Sequence, residues 1–303
     1  MRTGSRLGAY GLGVVAVFGL AAAAGAGLGP IHVGASLNHA SNHASMSVPA
    51  AGAARIAELS GMAVAADGYR LVPGVSSVGA GAASSYTFRI ARIDGSSLTG
   101  FDQLRERPLH LIVLSRNLID YLHVHPSMDG DGTWSVELPA LRPGSYRVYA
   151  DFKPVGADEV TLGADLQIAG LVPAADLPVV STTDVIDGYQ VTLHGDEAVG
   201  SSTIEFDVAR NGEAIVTDPY LGAKGHLVVI RVGDLGYLHV HPLDGADGAV
   251  RFAAEFPTPG AYRLFFDFAN GGGVHTASFT VDVLVDDPSG PAPVDTIPVH
   301  EGK

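Results

Sequence analysis

The sequence predicts an all-β protein: two tandem immunoglobulin-like β-sandwich domains behind an N-terminal hydrophobic signal or anchor segment. Three observations carry this. Short apolar segments alternate with period two, as in Tyr86-Thr87-Phe88-Arg89-Ile90 and Ile204-Glu205-Phe206-Asp207-Val208, the pattern of strands buried on one face. Turn residues punctuate them, with Gly 39 and Pro 18 in 303 positions, and about seven short strands per hundred residues fit a sandwich. The third observation is a repeat. Leu109-His110-Leu111-Ile112-Val113 and Tyr121-Leu122-His123-Val124-His125-Pro126 return as Gly225-His226-Leu227-Val228-Val229 and Tyr237-Leu238-His239-Val240-His241-Pro242, an offset of 116 residues. Pro143-Gly144-Ser145-Tyr146-Arg147 returns as Pro259-Gly260-Ala261-Tyr262-Arg263 at the same offset. A repeat of domain length sets the domain count at two.

In chain order, Arg2 and Arg6 precede an uncharged stretch from Leu7 to Leu28 with Ala24-Gly25-Ala26 as a small-residue cleavage site. Residues 1–30 therefore read as a signal peptide, or as a membrane anchor if uncut, and the rest as exported to the cell envelope or outside the cell. Residues 31–60, rich in Ala, Ser, Gly and Asn with His32, His39 and His43, are a disordered tether, with any helical order confined to Ala51–Leu59. The first repeat spans 61–170 and opens on Asp67-Gly68. Residues 171–183 form a linker, the second repeat spans 184–285 and opens on Asp187-Gly188, and 286–303, with four prolines, is a flexible tail. Asp94-Gly95 and Asn211-Gly212 mark further turns. Pro-Gly-x-Tyr predicts a tyrosine corner at Tyr146 and Tyr262.

Eighteen basic and thirty-two acidic residues give a net charge of -14, which repels nucleic acid and attracts cations. The absence of cysteine removes disulfides and the thiolate that a blue-copper centre needs. No nucleophile or phosphate-binding motif is present, so no enzyme activity is expected. Asp129-Gly130-Asp131-Gly132 lacks the remaining acidic positions of a calcium loop and reads as a turn.

The repeated phrase reads as a hairpin. With His110 opposite His125, the midpoint falls between Asn117 and Leu118, and in the second copy between Gly233 and Asp234. Asn and Gly tolerate the positive φ that the first position of a two-residue turn requires. Side chains alternate, so His123 and His125 share a face about 6.7 Å apart along the strand, with an opposed His110 within ~5.5 Å. The same pattern places His226, His239 and His241 together. The strand after each tyrosine corner neighbours the hairpin in an immunoglobulin-like sheet, which brings Asp151 towards His110 and Asp267 towards His226. His275, on the last strand of the second copy only, is a further candidate ligand there. Neutral imidazoles in this number suit a copper ion, with zinc as the second choice. A bland alternative exists: Ile112, Tyr121, Val228 and Tyr237 share the histidine face, which suits an interface between the domains or with a partner protein.

These features together resemble a group of exported or membrane-anchored bacterial proteins, frequent in actinobacteria, described as secreted or heavy-metal-binding proteins. The resemblance rests on the hydrophobic N-terminus, the histidine-containing tether, the Asp-Gly-Tyr openings, the His-x-His-Pro phrase, Tyr220-Leu221-Gly222-Ala223, and Pro-Gly-x-Tyr-Arg-x-x-x-Asp-Phe, and covers about residues 60 to 285. The tether carries fewer histidines than such proteins often do. The expectation is an envelope protein that binds a divalent transition metal, with an envelope protein or metal transporter as partner and the membrane as another if the N-terminus stays uncut.

Overall fold

Tight Asp-Gly turns start each repeat. Asp67 and Gly68 take φ of 51° and 84°, and Asp187 and Gly188 take 51° and 81°. Two consecutive left-handed residues match the right-handed twist of a two-residue hairpin, and Asp and Gly tolerate that conformation. Strand Ala65–Ala66 is thereby folded onto Tyr69–Pro73, and Thr183–Ile186 onto Tyr189–His194, both antiparallel. The computed structural model describes residues 60–172, 176–195, 197–238, 240–243 and 249–285. The predicted signal segment, helical stretch and tail lie outside the described residues, as does His239.

Each repeat is a sandwich of two sheets. In the first, Tyr69–Pro73, Ser84–Arg92 and Thr133–Leu138 are neighbours in one sheet. The other sheet runs Val160–Ile168, Gly144–Pro154, Leu109–Ser115, Tyr121–Val124. The second repeat follows the same plan, with Tyr189–His194, Gly200–Arg210 and Val250–Phe256 facing Gly273–Val283, Gly260–Asn270, His226–Arg231 and Tyr237–Leu238. No helix occurs among the described residues. Period-two burial fills each sandwich separately: Leu111, Val113, Val148 and Ala150 join Tyr86, Phe88 and Trp134 in one core, and Val229, Leu264 and Phe266 join Phe206 and Phe252 in the other. Both tyrosine corners form, with Tyr146 Oη donating to the Arg142 carbonyl at 3.0 Å and Tyr262 Oη to that of Thr258 at 2.9 Å. The all-β, tandem immunoglobulin-like architecture expected from the sequence is the one adopted.

The hairpin register also follows the sequence, since Leu111 pairs with Val124 and Ile112 with His123. The turn differs from expectation. A four-residue loop closes through Ser115 N donating to the Asp120 carbonyl at 2.9 Å, and the positive φ, 61°, falls on Leu118 instead of Asn117. Ser115 Oγ explains the wider loop, because it accepts the Ile119 and Asp120 amides at 3.2 and 2.8 Å.

The other face of each hairpin sheet is also buried. Ile112, Leu114, Leu118 and Tyr149 meet Val228, Ile230, Leu235, Tyr237 and Phe265 in a third apolar cluster built by both repeats. Tyr121 stacks on Phe265 with ring centroids 4.2 Å apart. Tyr149 Oη donates to the Leu235 carbonyl at 2.7 Å, and Arg263 Nε to that of Leu118 at 3.3 Å. Most of these residues are equivalents at the 116-residue offset, so the repeats dock through matching faces. The interface foreseen as the alternative use of the histidine face is therefore present.

Candidate metal centre

The histidines sit at one end of this interface. His110 is fully buried on the central strand, held from outside by a tight turn at Leu104 to Arg107 in which Arg105 and Glu106 take φ of 47° and 64°. Left-handed backbone at two such residues costs on the order of 1 kcal/mol or more each. The turn aims the Leu104 carbonyl at His110, which donates from Nε2 at 2.8 Å. A carbonyl only accepts, so His110 carries its proton on Nε2 and presents a bare Nδ1. That Nδ1 faces His123 Nε2 at 2.9 Å and His125 Nε2 at 3.2 Å.

His123, whose side chain is 2% exposed, points its Nδ1 at Asp267 Oδ2 of the second repeat, 2.8 Å away. The carboxylate accepts this bond, one from Tyr121 Oη at 3.1 Å and one from Thr276 Oγ1 at 2.6 Å. Burial first, then the Asp267 charge, holds the Tyr121 hydroxyl well above its ordinary pKa, so it stays a donor. His226 completes the group from the second repeat. Its ring lies 4.5 Å from that of His123 and stacks 5.4 Å from that of His110, and its Nδ1 is buried with no hydrogen-bond partner. A cavity of about 290 Å³ reaches His226 and is lined also by Arg105, Glu106, Leu221 and Phe252.

Desolvation keeps His110, His125 and His226 neutral. Burial, reinforced by His123, pushes His110 down to about 3 and His125 down to about 4. Burial, then His123 and His110, drives His226 well below its ordinary value. Neutral imidazole is the metal-ligating form. His110, His123 and His125 each offer a ligand atom within 4.8 Å of the others, and so do His123, His226 and Asp267.

The remaining candidates are placed elsewhere. Asp151 pairs with His110 across the strands as expected, yet its carboxylate turns to Arg105 Nη1 at 3.3 Å and Thr161 Oγ1 at 2.9 Å. Of the triad anticipated in the second copy, His239 lies outside the described residues, and His226 and His241 do not share a sheet. After Leu238 the chain passes to the opposite sheet, so that His241 pairs with Ala253 and is exposed. His275 Nδ1 donates to Asp187 Oδ2 at 2.7 Å and packs on Tyr189, outside both groups. Among the described residues, the second copy's His226 and Asp267 join the first copy's histidines in a joint cluster. Sequence reasoning missed Arg105 and the mixed cluster in which ligands of both copies meet. The signal for Arg105 was available: at the 116-residue offset, Leu221 stands in its place.

Two immunoglobulin-like sandwiches docked face to face around a buried histidine–aspartate cluster define the class of this protein. A family model described as a domain of unknown function, DUF8832, matches residues 63–168 and again 183–284, and the chain belongs to that family. No curated protein matches it. Among solved structures it is similar to the Escherichia coli adhesin FdeC, at 14% identity over 73% of this chain and 65% of that one, with a TM-score of 0.25. It spans somewhat under two thirds of that adhesin structure. The Lin-41 filamin domain (15% identity, 34% and 97% covered, TM-score 0.24) and domains 5–6 of the S-layer protein SbsC (13%, 72% and 97%, TM-score 0.24) are similar at the same level. Likeness this distant bears on neither site nor function.

Proposed function

We propose that the chain is an exported cell-envelope protein that binds a divalent transition metal, copper first and zinc second, through His110, His123 and His125, and buffers the ion or hands it to an envelope partner such as a metal transporter. One observation carries this. The outer nitrogens of His110 and His123 already donate to a carbonyl and a carboxylate, so the nitrogens that neutral rings would offer a metal as lone pairs face each other at 2.9 Å, and His125 Nε2 approaches His110 Nδ1 at 3.2 Å. Lone pairs so close repel unless a cation lies between them. A single proton serves two nitrogens at most, whereas a metal ion serves all three. Metal–nitrogen bonds of about 2.05 Å place neighbouring donors about 2.9 Å apart at right angles and about 3.3 Å apart in a tetrahedron, which brackets the observed spacings. Outer-nitrogen bonds of this kind fix ring orientation in metal sites. Three imidazoles favour Cu(II) on affinity.

Export is supported by Arg2, Arg6 and the apolar stretch that follows, and the resemblance to secreted or heavy-metal-binding actinobacterial proteins agrees with it. No helix among the described residues is long and apolar enough to cross a membrane. The apolar contact between repeats favours a second reading, in which the histidine face only packs the domains. Calorimetric titration of the full chain with Cu(II) and Zn(II) decides between them. Wild type is expected to bind and a His123→Ala/His125→Ala variant to lose binding; binding by neither leaves only the packing role.

A further inference from the structure

We propose a second ion position on the other side of His123, held by His123 Nδ1, Asp267 and His226, so that one imidazole bridges two divalent ions and the second ion joins the repeats. This rests on the first-site reading, because His123 belongs to both. Asp151 and Asp267 are equivalent buried carboxylates, 0% and 1% exposed. Asp151 has the Arg105 guanidinium beside it, but the equivalent position in the second repeat is Leu221. Among the described residues, Asp267 meets no arginine or lysine at ion-pair distance; its partners are His123 Nδ1, Tyr121 Oη and Thr276 Oγ1. A buried carboxylate with no guanidinium or ammonium beside it is a natural ligand for a cation.

Beside it stands an unused donor. His226 is 5% exposed and its Nδ1 has no partner, although buried polar atoms ordinarily find one. His226, Asp267 and His123 each offer a ligand atom within 4.8 Å of the others. Asp267 Oδ2 lies against Nδ1 of His123, while Nε2 faces His110 and His125. The two positions thus lie on opposite sides of one ring, with ions about 6 Å apart once two metal–nitrogen bonds of about 2 Å are added to the ring width. The nitrogen and oxygen donors suit Zn(II) or Cu(II). The ion replaces the Nδ1 proton of His123, which leaves to solvent, so one proton is released per second ion and no electron moves. The divalent charge then balances the carboxylate and the bridging imidazolate.

The test is stoichiometry on the full chain, by calorimetry with Zn(II) and by metal analysis after desalting, beside His226→Ala and Leu221→Arg. The second variant supplies Asp267 with the guanidinium that Asp151 already has, at a backbone φ of 54° close to the 47° of Arg105, and guards against misfolding of the first. Wild type is expected to hold two ions and each variant one. With Cu(II) in both positions, exchange through the shared imidazole is expected to suppress the paramagnetic resonance signal, which returns at one-ion intensity in the variants. One ion in wild type, or two in wild type and both variants, overturns the second position and leaves the first site standing. No ion in wild type overturns both.

Discussion

The ion-free protein is expected to lose stability steeply between pH 7 and 5, and the cause is the buried imidazoles. His110 is held down to about 3 by burial, against an ordinary value of 6.5, and His226 is displaced the same way. Below pH 6.5 the unfolded chain takes up protons that the native cluster refuses. The stabilising contribution is therefore complete above pH 6.5 and is lost progressively as pH falls towards the native value. One-proton linkage for His110 alone, from pH 7 to 5, gives a loss of ~2 kcal/mol, and His226 adds in the same direction. With a urea slope of about 2 kcal/mol/M, the midpoint falls by ~1 M for His110 alone. The assay is urea unfolding with a chelator at pH 7, 6 and 5, on wild type and His110→Gln. The variant should show a shallower pH slope whatever its absolute stability. A midpoint that is flat or rising towards pH 5, or a slope identical in the variant, would refute the idea that native packing keeps these rings neutral.

Three further outcomes follow from named contacts. Arg105→Met strands the fully buried Asp151 and should cost about 3–5 kcal/mol in urea unfolding, with Asp151→Asn in the same chain restoring part of the loss. Tyr149→Phe removes only the hydroxyl that reaches the Leu235 carbonyl across the repeats and should cost ~1 kcal/mol, read as a lower unfolding midpoint. Zn(II) at a hundredfold excess over the dissociation constant of the first site should stabilise the chain by about 2.7 kcal/mol through that site alone, and the gain should vanish in His123→Ala/His125→Ala.

Much of the fold was legible because its determinants are local. Asp-Gly dipeptides, period-two strands and Pro-Gly-x-Tyr corners each act over a few residues, and each forms where the sequence implied. The hairpin register was legible too, and it alone brings His110, His123 and His125 together. Turn detail was less so, since Ser115 widened the loop with a side-chain bond that strand pattern does not report. The second copy departed further. Nothing in its alternation announced that the chain leaves the sheet after Leu238 and carries His241 away. Nor does any single repeat encode which faces dock. That depends on apolar residues such as Ile112, Tyr149, Val228 and Phe265, which alternate with the histidines and look in sequence like ordinary strand residues.

Docking and metal binding are better understood as one arrangement than as rivals. When two copies of a fold meet through the same face, equivalent residues approach a pseudo-twofold axis, as in a symmetric dimer. His110 and His226 do so, stacked 5.4 Å apart with ring planes 11° from parallel. Perfect symmetry would give each carboxylate the same neighbour. Arg105 beside Asp151, against Leu221 at the equivalent position, breaks that equality: one carboxylate is neutralised within its own repeat, while the other is left to reach across to His123. The apolar contact supplies the dry surroundings in which that difference has a large effect, because a charge left uncompensated there is far costlier than in water. A single diverged position thus directs the second repeat's carboxylate towards the first repeat's histidines, and the shared cluster exists only while the two faces remain together.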